Sequence, residues 1–546
     1  MKKVLTTLMV ALLAAIPSFP CTNLLVGKKA STDGSTLISY AADSYGLYGE
    51  LYHWPAKQYA PGEMLKVYEW DSGKYLGEIP QVLQTYNVIG NMNEHQLAIG
   101  ETTFGGRSEL SDSTGIMDYG SLIYITLQRA KNAREAIRVM TDLVKEHGYY
   151  SSGESFSIAD PEEVWILEMI GKGHGNKGAV WVAVRIPDDC VSAHANQARI
   201  QQFPLNDPEN CLYSPDVISF AREQGYYEGA DADFSFAKAY APLDFGALRF
   251  CEARVWSFFN RVNSEMGQYV TYAQGKTTDP MPLYIKADRK LSARDIQNYM
   301  RDHYEDTELD WRYDLGAGPF NSPYRLSPLT YKLDDESYCN ERPIATQQTA
   351  FSFVAQMRSW LPNEIGGIFW FGIDDAAQTV YYPFYCGHTE VPHEMEKGNG
   401  DLLTFSWTSA FWIHNWVSNM VYSRYSDKIK EVQKVQAKLE DQFEVSGPKV
   451  EEKAKALYEQ SRPEAVQYLT QYSNDLVKEG LEEWKKLGEY LMVKYLDGVI
   501  KREENGQFQR NPHGLPANPI RTGYPEPFIR RVIEETGDKY KVLPVE

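Results

Sequence analysis

The residues predict an α+β protein, with strands and short helices up to about residue 400 and a mostly helical region over 401–546. Three observations carry that prediction: paired β-rich runs around tight-turn residues, a capped amphipathic helix between them, and helical apolar spacing beyond Asp401. At 546 residues the chain is long enough to bury a large core.

The first paired run opens at Cys21. Residues 22–28 are rich in β-formers, Asp33-Gly34 is a tight-turn signal, and residues 35–40 form a second strand, which puts Cys21 at the first position of a strand. A second hairpin is expected from residues 163–170 to 179–186 across the glycine-rich run GKGHGNKG. Between the hairpins, Asn132 and Glu135 make a capping box, Ile137, Met140, Leu143 and Val144 follow at helical spacing, and Gly148 ends the helix. A further strand pair is expected at 367–372 and 379–385. Residues 404–501 read as helical, with breaks at Ser446-Gly447-Pro448 and Ser461-Arg462-Pro463. The tail from Gly506 reads as a surface wrap.

The start of the chain has a different character. Lys2 and Lys3 precede an apolar run, residues 4–16, too short to cross a bilayer, and Pro17, Ser18, Phe19 and Pro20 lead to Cys21. Residues 1–20 are therefore expected to be a signal peptide with a short pro-segment, and the mature chain secreted or periplasmic. The formal charge of −19, from 55 basic and 74 acidic residues, becomes −21 once Lys2 and Lys3 are gone. Such a surface repels nucleic acid and anionic lipid, so nucleic acid is not an expected partner. Nor is stable membrane insertion expected; a homo-oligomer stays open. The six cysteines lack CxxC or zinc-like spacing, and the five beyond Cys21 read as small buried hydrophobes with room for one bridge.

A cysteine directly after a signal peptide has two strong readings. Lipidation needs small residues before it, whereas here Phe19 and Pro20 stand there. The other reading is an N-terminal nucleophile. Removing residues 1–20 gives Cys21 a thiol and a free α-amine on one framework. An α-amine titrates near ~7.7–8.0, so it can take the thiol proton without a histidine. This chemistry requires no metal or organic cofactor.

The stretch CTNLLVGKKASTDGSTLISYAADS, residues 21–44, resembles the start of the dipeptidase A family of cysteine peptidases, N-terminal-nucleophile hydrolases related to penicillin V acylase and bile salt hydrolase. NEHQLAIGETT, LQRAKNAREAI, GESFSIADPEEVWILEMIGKG, VSAHANQARI, EARVWSFFNRV and SAFWIHNWVSN agree in the same order. The resemblance spans most of the mature chain. It implies a four-layer αββα sandwich over 21–400, with a helical extension beyond, and small peptides, chiefly dipeptides, as substrates. It further implies Cys21 as nucleophile and base, Asp43 as the acid beside its amine, and Asn196 as an oxyanion donor. Thr103 stands where the acylase branch carries an asparagine, and Arg254 near that branch's second arginine. Tyr40 stands where many relatives carry an arginine, and cannot replace a fixed positive charge. A dipeptidase must hold a free amine and a free carboxylate, for which Asp43 or Glu101 and Arg254 are the candidates.

Other readings of these residues remain. Asp43 can cap a turn, Arg254 can sit in a structural ion pair, and His194 can be an ordinary loop residue. GKGHGNKG lacks the GK[ST] ending of a phosphate loop, His388 and His393 lack metal spacing, and Trp407, Trp412 and Trp416 read as a core stripe. The rival functions are an acylase or bile-salt-type amidohydrolase and a non-catalytic lipoprotein anchored at Cys21.

Overall fold

The computed structural model describes residues 21–544; the expected signal peptide lies outside them. The principal strands are β1 (Asn23–Val26), β2 (Thr36–Asp43), β3 (Ala98–Gly105), β4 (Gly153–Ala159), β5 (Val164–Gly171), β6 (Ala179–Ile186), β7 (Val191–His194), β8 (Thr349–Met357), β9 (Ile368–Ile373) and β10 (Tyr382–Tyr385). One seven-stranded antiparallel sheet runs from a short edge strand at Tyr284–Ile285 through β7, β1, β2, β8 and β9 to β10. An eight-stranded sheet runs from Cys211–Tyr213 through β6, β5, β4 and β3 to three two-residue strands.

Alternation along the strands decides how the sheets stack. Leu25, Ile38 and Tyr40 point between the sheets and meet Ile166, Ile170, Val180 and Val182. Their neighbours Leu24, Val26, Leu37 and Ala41 point outward and pack on Val255, Trp256 and Phe259. On the far side, Phe156, Ile158, Trp165 and Leu167 meet Leu122, Ile125, Ile137 and Met140 of helices α1 (Tyr119–Leu127) and α2 (Ala133–His147). The outward residues of the first sheet are covered by α3 (Ala253–Val262). The result is a mixed helix-and-sheet architecture with helices outside and two sheets facing each other.

Both expected hairpins form, but the first differs in detail. Cys21 and Thr22 precede β1, and Thr22 pairs with Ala41 as an isolated bridge. β2 runs three residues past Tyr40 because Ala41–Asp43 gain partners on β8, Asp43 opposite Thr349. Asp43 is thus a strand residue, not a turn cap. In α2 the Asn132 side chain accepts from the Glu135 N–H, but the Glu135 carboxylate takes the N–H of Lys131, so the capping box is only half made.

The C-terminal region holds α4 (Ala410–Tyr422), α5 (Tyr425–Tyr458) and α6 (Arg462–Lys494). The expected break at Ser461-Arg462-Pro463 is present; the one at Ser446-Gly447-Pro448 is not, and α5 runs through it. Pro448 forfeits one backbone hydrogen bond, a cost of ~3 kcal/mol in an isolated helix. Here Phe443, Val450 and Ala454 are buried on either side of it, and the Ser446 hydroxyl bonds both the Gln442 carbonyl and Tyr472 of α6. Ile413, Val417, Leu481 and Trp484 share one apolar cluster with Phe369, Phe371 and Phe384, so the core continues across residue 400. Trp407 departs from the expected core stripe: it lies before α4, 58% exposed, against Phe405 and Trp416. The tail lies on the surface and carries an exposed helix, Glu526–Thr536, not foreseen from sequence. All six cysteines are unpaired.

Candidate active site

The two sheets come into close contact where β3 crosses β1 and β2. At Gly100 a side chain would collide with the Asn23 amide oxygen, so glycine is what permits the crossing. Asn23 Nδ2 donates to the Glu101 carbonyl (2.6 Å) and pins the contact. The neighbouring Glu101 side chain is thereby delivered to Cys21. The Cys21 sulfur is buried, 3.6 Å from the Tyr40 hydroxyl and 3.7 Å from Glu101 Oε1, and Tyr40 donates to that same oxygen at 2.5 Å. Burial pushes the thiol well above its usual range; the carboxylates of Glu101 and Asp43 add to this, and the Asp43 N–H and Tyr40 hydroxyl oppose it.

Asp43 is fully buried. Its Oδ2 accepts from Arg342 Nη2 and its Oδ1 from Thr349 Oγ1, each at 2.6 Å. Burial raises its carboxyl, with the Arg342 charge and these hydrogen bonds pulling it back. Neither Arg342 nor Thr349 was anticipated from sequence, because Arg342 lies 299 residues from Asp43 along the chain.

Arg254 projects from α3, just after a π-helical turn at Ala247–Glu252. Its Nε donates to the Phe250 carbonyl, Nη1 to the Cys21 carbonyl (2.5 Å) and Thr22 Oγ1, and Nη2 to the Ala195 carbonyl and Asn196 Oδ1 (2.9 Å). A guanidinium has five N–H groups, and all five are taken up by the chain itself. The substrate-carboxylate role expected for Arg254 has no donor left to carry it; the side chain is a clamp on the backbone of Cys21.

Asn196 follows β7 in the left-handed region, φ 61°, which asparagine tolerates. The bond from Arg254 to its Oδ1 orients the amide, and its Nδ2 donates to the Thr103 carbonyl at 2.8 Å. Thr103 in turn donates through Oγ1 to Glu154 Oε2 (2.9 Å). Cys21, Tyr40, Asp43, Glu101, Thr103, Asn196 and Arg254 thus form one connected network, drawn from both sheets and α3. Glu154, on β4, completes it, and sequence reasoning passed over it. The available signal was an acid in a strand otherwise made of small and apolar residues.

Beside Tyr40 and Glu101 lies a cavity of about 40 Å³ lined by Tyr52, Trp54, Trp70, Tyr119, Tyr124 and Phe351. Tyr52, Trp54, Trp70 and Tyr124 also line an open surface groove of about 800 Å³. The surroundings of Tyr40 and Glu101, beside Cys21, are therefore aromatic, with carboxylates near them. Asp71, which accepts from Tyr119, is raised to about 7, chiefly by burial.

His194 is buried between Thr102 and Ser157, each hydroxyl 2.7 Å from a ring nitrogen. Burial, helped by the Arg199 charge, lowers it from 6.5 to about 3, so it is neutral at pH 7. The unfolded chain takes up this proton first, so stability falls as pH drops from 6.5 toward 3. The expected loss is about 1.4 kcal/mol per pH unit from this group. His388 and His414, both lowered to about 4, act in the same direction. Urea denaturation at pH 7 and pH 5 checks the slope, which a His194→Gln variant should reduce.

Among the described residues no group of three or more His, Cys, Asp or Glu side chains is placed to hold a metal ion, and no helix is long and apolar enough to cross a membrane.

Known proteins resemble the chain over more than two thirds of its length. It is 28% identical over 401 residues to a probable dipeptidase of Salmonella dublin, covering 69% of this chain and 83% of the relative. It is 26% identical over 433 residues to a probable dipeptidase of Latilactobacillus sakei (74% and 81%) and 25% identical over 450 residues to dipeptidase A of Lactobacillus helveticus (78% and 85%). The model of peptidase family C69 matches residues 20–53 and 49–438, which contain every residue of the network around Cys21. The chain belongs to peptidase family C69.

Proposed function

We propose that this protein is an exported cysteine dipeptidase acting through a thioester on Cys21, its N-terminal residue once residues 1–20 are removed. The reading takes the paired sheets and their outer helices as the αββα sandwich of an N-terminal-nucleophile hydrolase. One observation carries it: the Cys21 sulfur is buried against Tyr40 and Glu101 while Arg254 grips the Cys21 carbonyl. A lipid-bearing sulfur would have to reach solvent, and this one faces the interior.

In this reading the α-amine takes the thiol proton and Cys21 attacks the amide carbonyl. The Asn196 amide and a backbone N–H stabilise the oxyanion, a contribution of a few kcal/mol. The α-ammonium then protonates the departing amine, and water hydrolyses the thioester with the same amine as base. Arg254 positions Cys21 and Asn196, and Asp43, held by Arg342 and Thr349, orients the ammonium. A positive charge on Cys21 itself counters the burial that otherwise disfavours the thiolate. With Asp43 occupied, Glu101 is the carboxylate for the substrate's free amine, and the aromatic cavity receives its first side chain. The substrate carboxylate has no assigned partner.

The test is a dipeptide with and without an N-acetyl cap. Losing a buried charge pair costs about 2 kcal/mol or more, so the capped substrate should lose at least roughly 30-fold in kcat/KM. An unchanged rate would mark an acylase instead.

A further inference from the structure

We propose that Glu154 is a positioning residue that holds a proton at neutral pH and donates it to Glu101, leaving the pair one negative charge for the substrate's ammonium. The inference rests on Glu101 as the amine's partner and adds what controls its charge.

Two buried carboxylate oxygens are orphaned. Glu101 Oε2 and Glu154 Oε1 are both buried, and neither accepts a hydrogen bond from a protein donor. Their other oxygens are accounted for: Glu101 Oε1 accepts from Tyr40, and Glu154 Oε2 from Thr103. On adjacent strands, with Thr103 opposite Glu154, the two carboxyls come within hydrogen-bonding reach of each other. Two ionised carboxylates there would repel and leave both orphans unsatisfied. One shared proton satisfies both atoms at once.

The surroundings decide which carboxyl holds it. Glu101 has the Tyr40 hydroxyl and the Cys21 thiol as donors to its charged form, with the Asp43 charge opposing. Glu154 has only Thr103, and faces the charges of Glu101 and Asp71. Burial raises both. Tyr119 and Tyr149, also packed near the pair, are raised and stay neutral. The shared proton does two things. It confines the negative charge to Glu101, and it keeps a second charge away from the Cys21 sulfur, where it would oppose the thiolate.

Glutamine reproduces a protonated Glu154 atom for atom: its oxygen accepts from Thr103 and its N–H₂ donates to Glu101. With processed wild-type protein and free-amine dipeptide, Glu154→Ala should lose roughly tenfold or more in kcat/KM, chiefly through KM, and Glu154→Gln should recover most of that loss. An infrared difference spectrum at pH 7, wild type minus Glu154→Gln, should show the carbonyl band of a protonated carboxyl. Gln no better than Ala, or no such band, would overturn the proposal. The amine reading is tested separately by Glu101→Gln. Should that variant keep the free-amine preference, Glu101 is not the amine's partner, while the infrared band still decides where the proton lies.

Discussion

Replacing Cys21 with alanine is expected to lower dipeptide turnover by on the order of 10⁴-fold or more while leaving the protein folded. The size of the loss follows from the proposed mechanism, in which the thioester cannot form without sulfur and the oxyanion donors and bound substrate supply only the remainder. Stability should change by about 1 kcal/mol, because one buried sulfur is removed and Arg254 still grips the backbone carbonyl of residue 21. Turnover and thermal unfolding of the same preparation check both halves. The mass of the variant's N-terminus adds a second result. Retention of residues before position 21 would show that Cys21 trims its own pro-segment, and a normal terminus would assign the cut to another protease.

Arg342→Met is expected to cost about 3–5 kcal/mol of stability as well as activity. The Arg342 and Asp43 side chains are 3% and 0% exposed, and they meet at 2.6 Å. Removing the cation leaves a buried carboxylate whose remaining donor from a side chain is Thr349. Pairing the substitution with Asp43→Asn should return part of that loss, because no uncompensated charge then remains. A chemical-denaturation cycle over the four proteins measures this coupling. Additive losses would mean the ion pair contributes little. Activity should stay low in the double variant, since in the proposed mechanism the ionised Asp43 orients the α-ammonium.

Local chemistry made much of the fold legible. Asp33-Gly34, the β-rich runs at both hairpins, Asn132 and Gly148 each act within a few residues, so each marked its element correctly. Pro448 misled for the same reason. A proline's local cost is visible in a sequence, whereas the burial of Phe443 and Val450 that outweighs it is not. In the candidate site, Cys21 stood out because it follows a leader-like segment, and Asp43, Asn196 and Arg254 came from family resemblance. What Arg254 does was misjudged. A lone arginine suggests an anion, but its hydrogen bonds run to carbonyls of residues 21, 195 and 250, brought together only by the folded chain.

Sequence alone therefore singled out Cys21 as the candidate reactive residue and determined the strand and helix periods and the acidity of the chain, since these depend on side-chain type and near neighbours. Tertiary structure decided the rest: Glu101 and Tyr40 against the sulfur, Arg342 on Asp43, and Glu154 behind Glu101. These contacts span tens to hundreds of residues, and the one between Glu101 and Cys21 crosses from one sheet to the other. The physical reason is that charge and hydrogen bonding are set by what lies within a few ångströms in space, and a buried carboxyl's protonation depends on partners that linear spacing does not reveal.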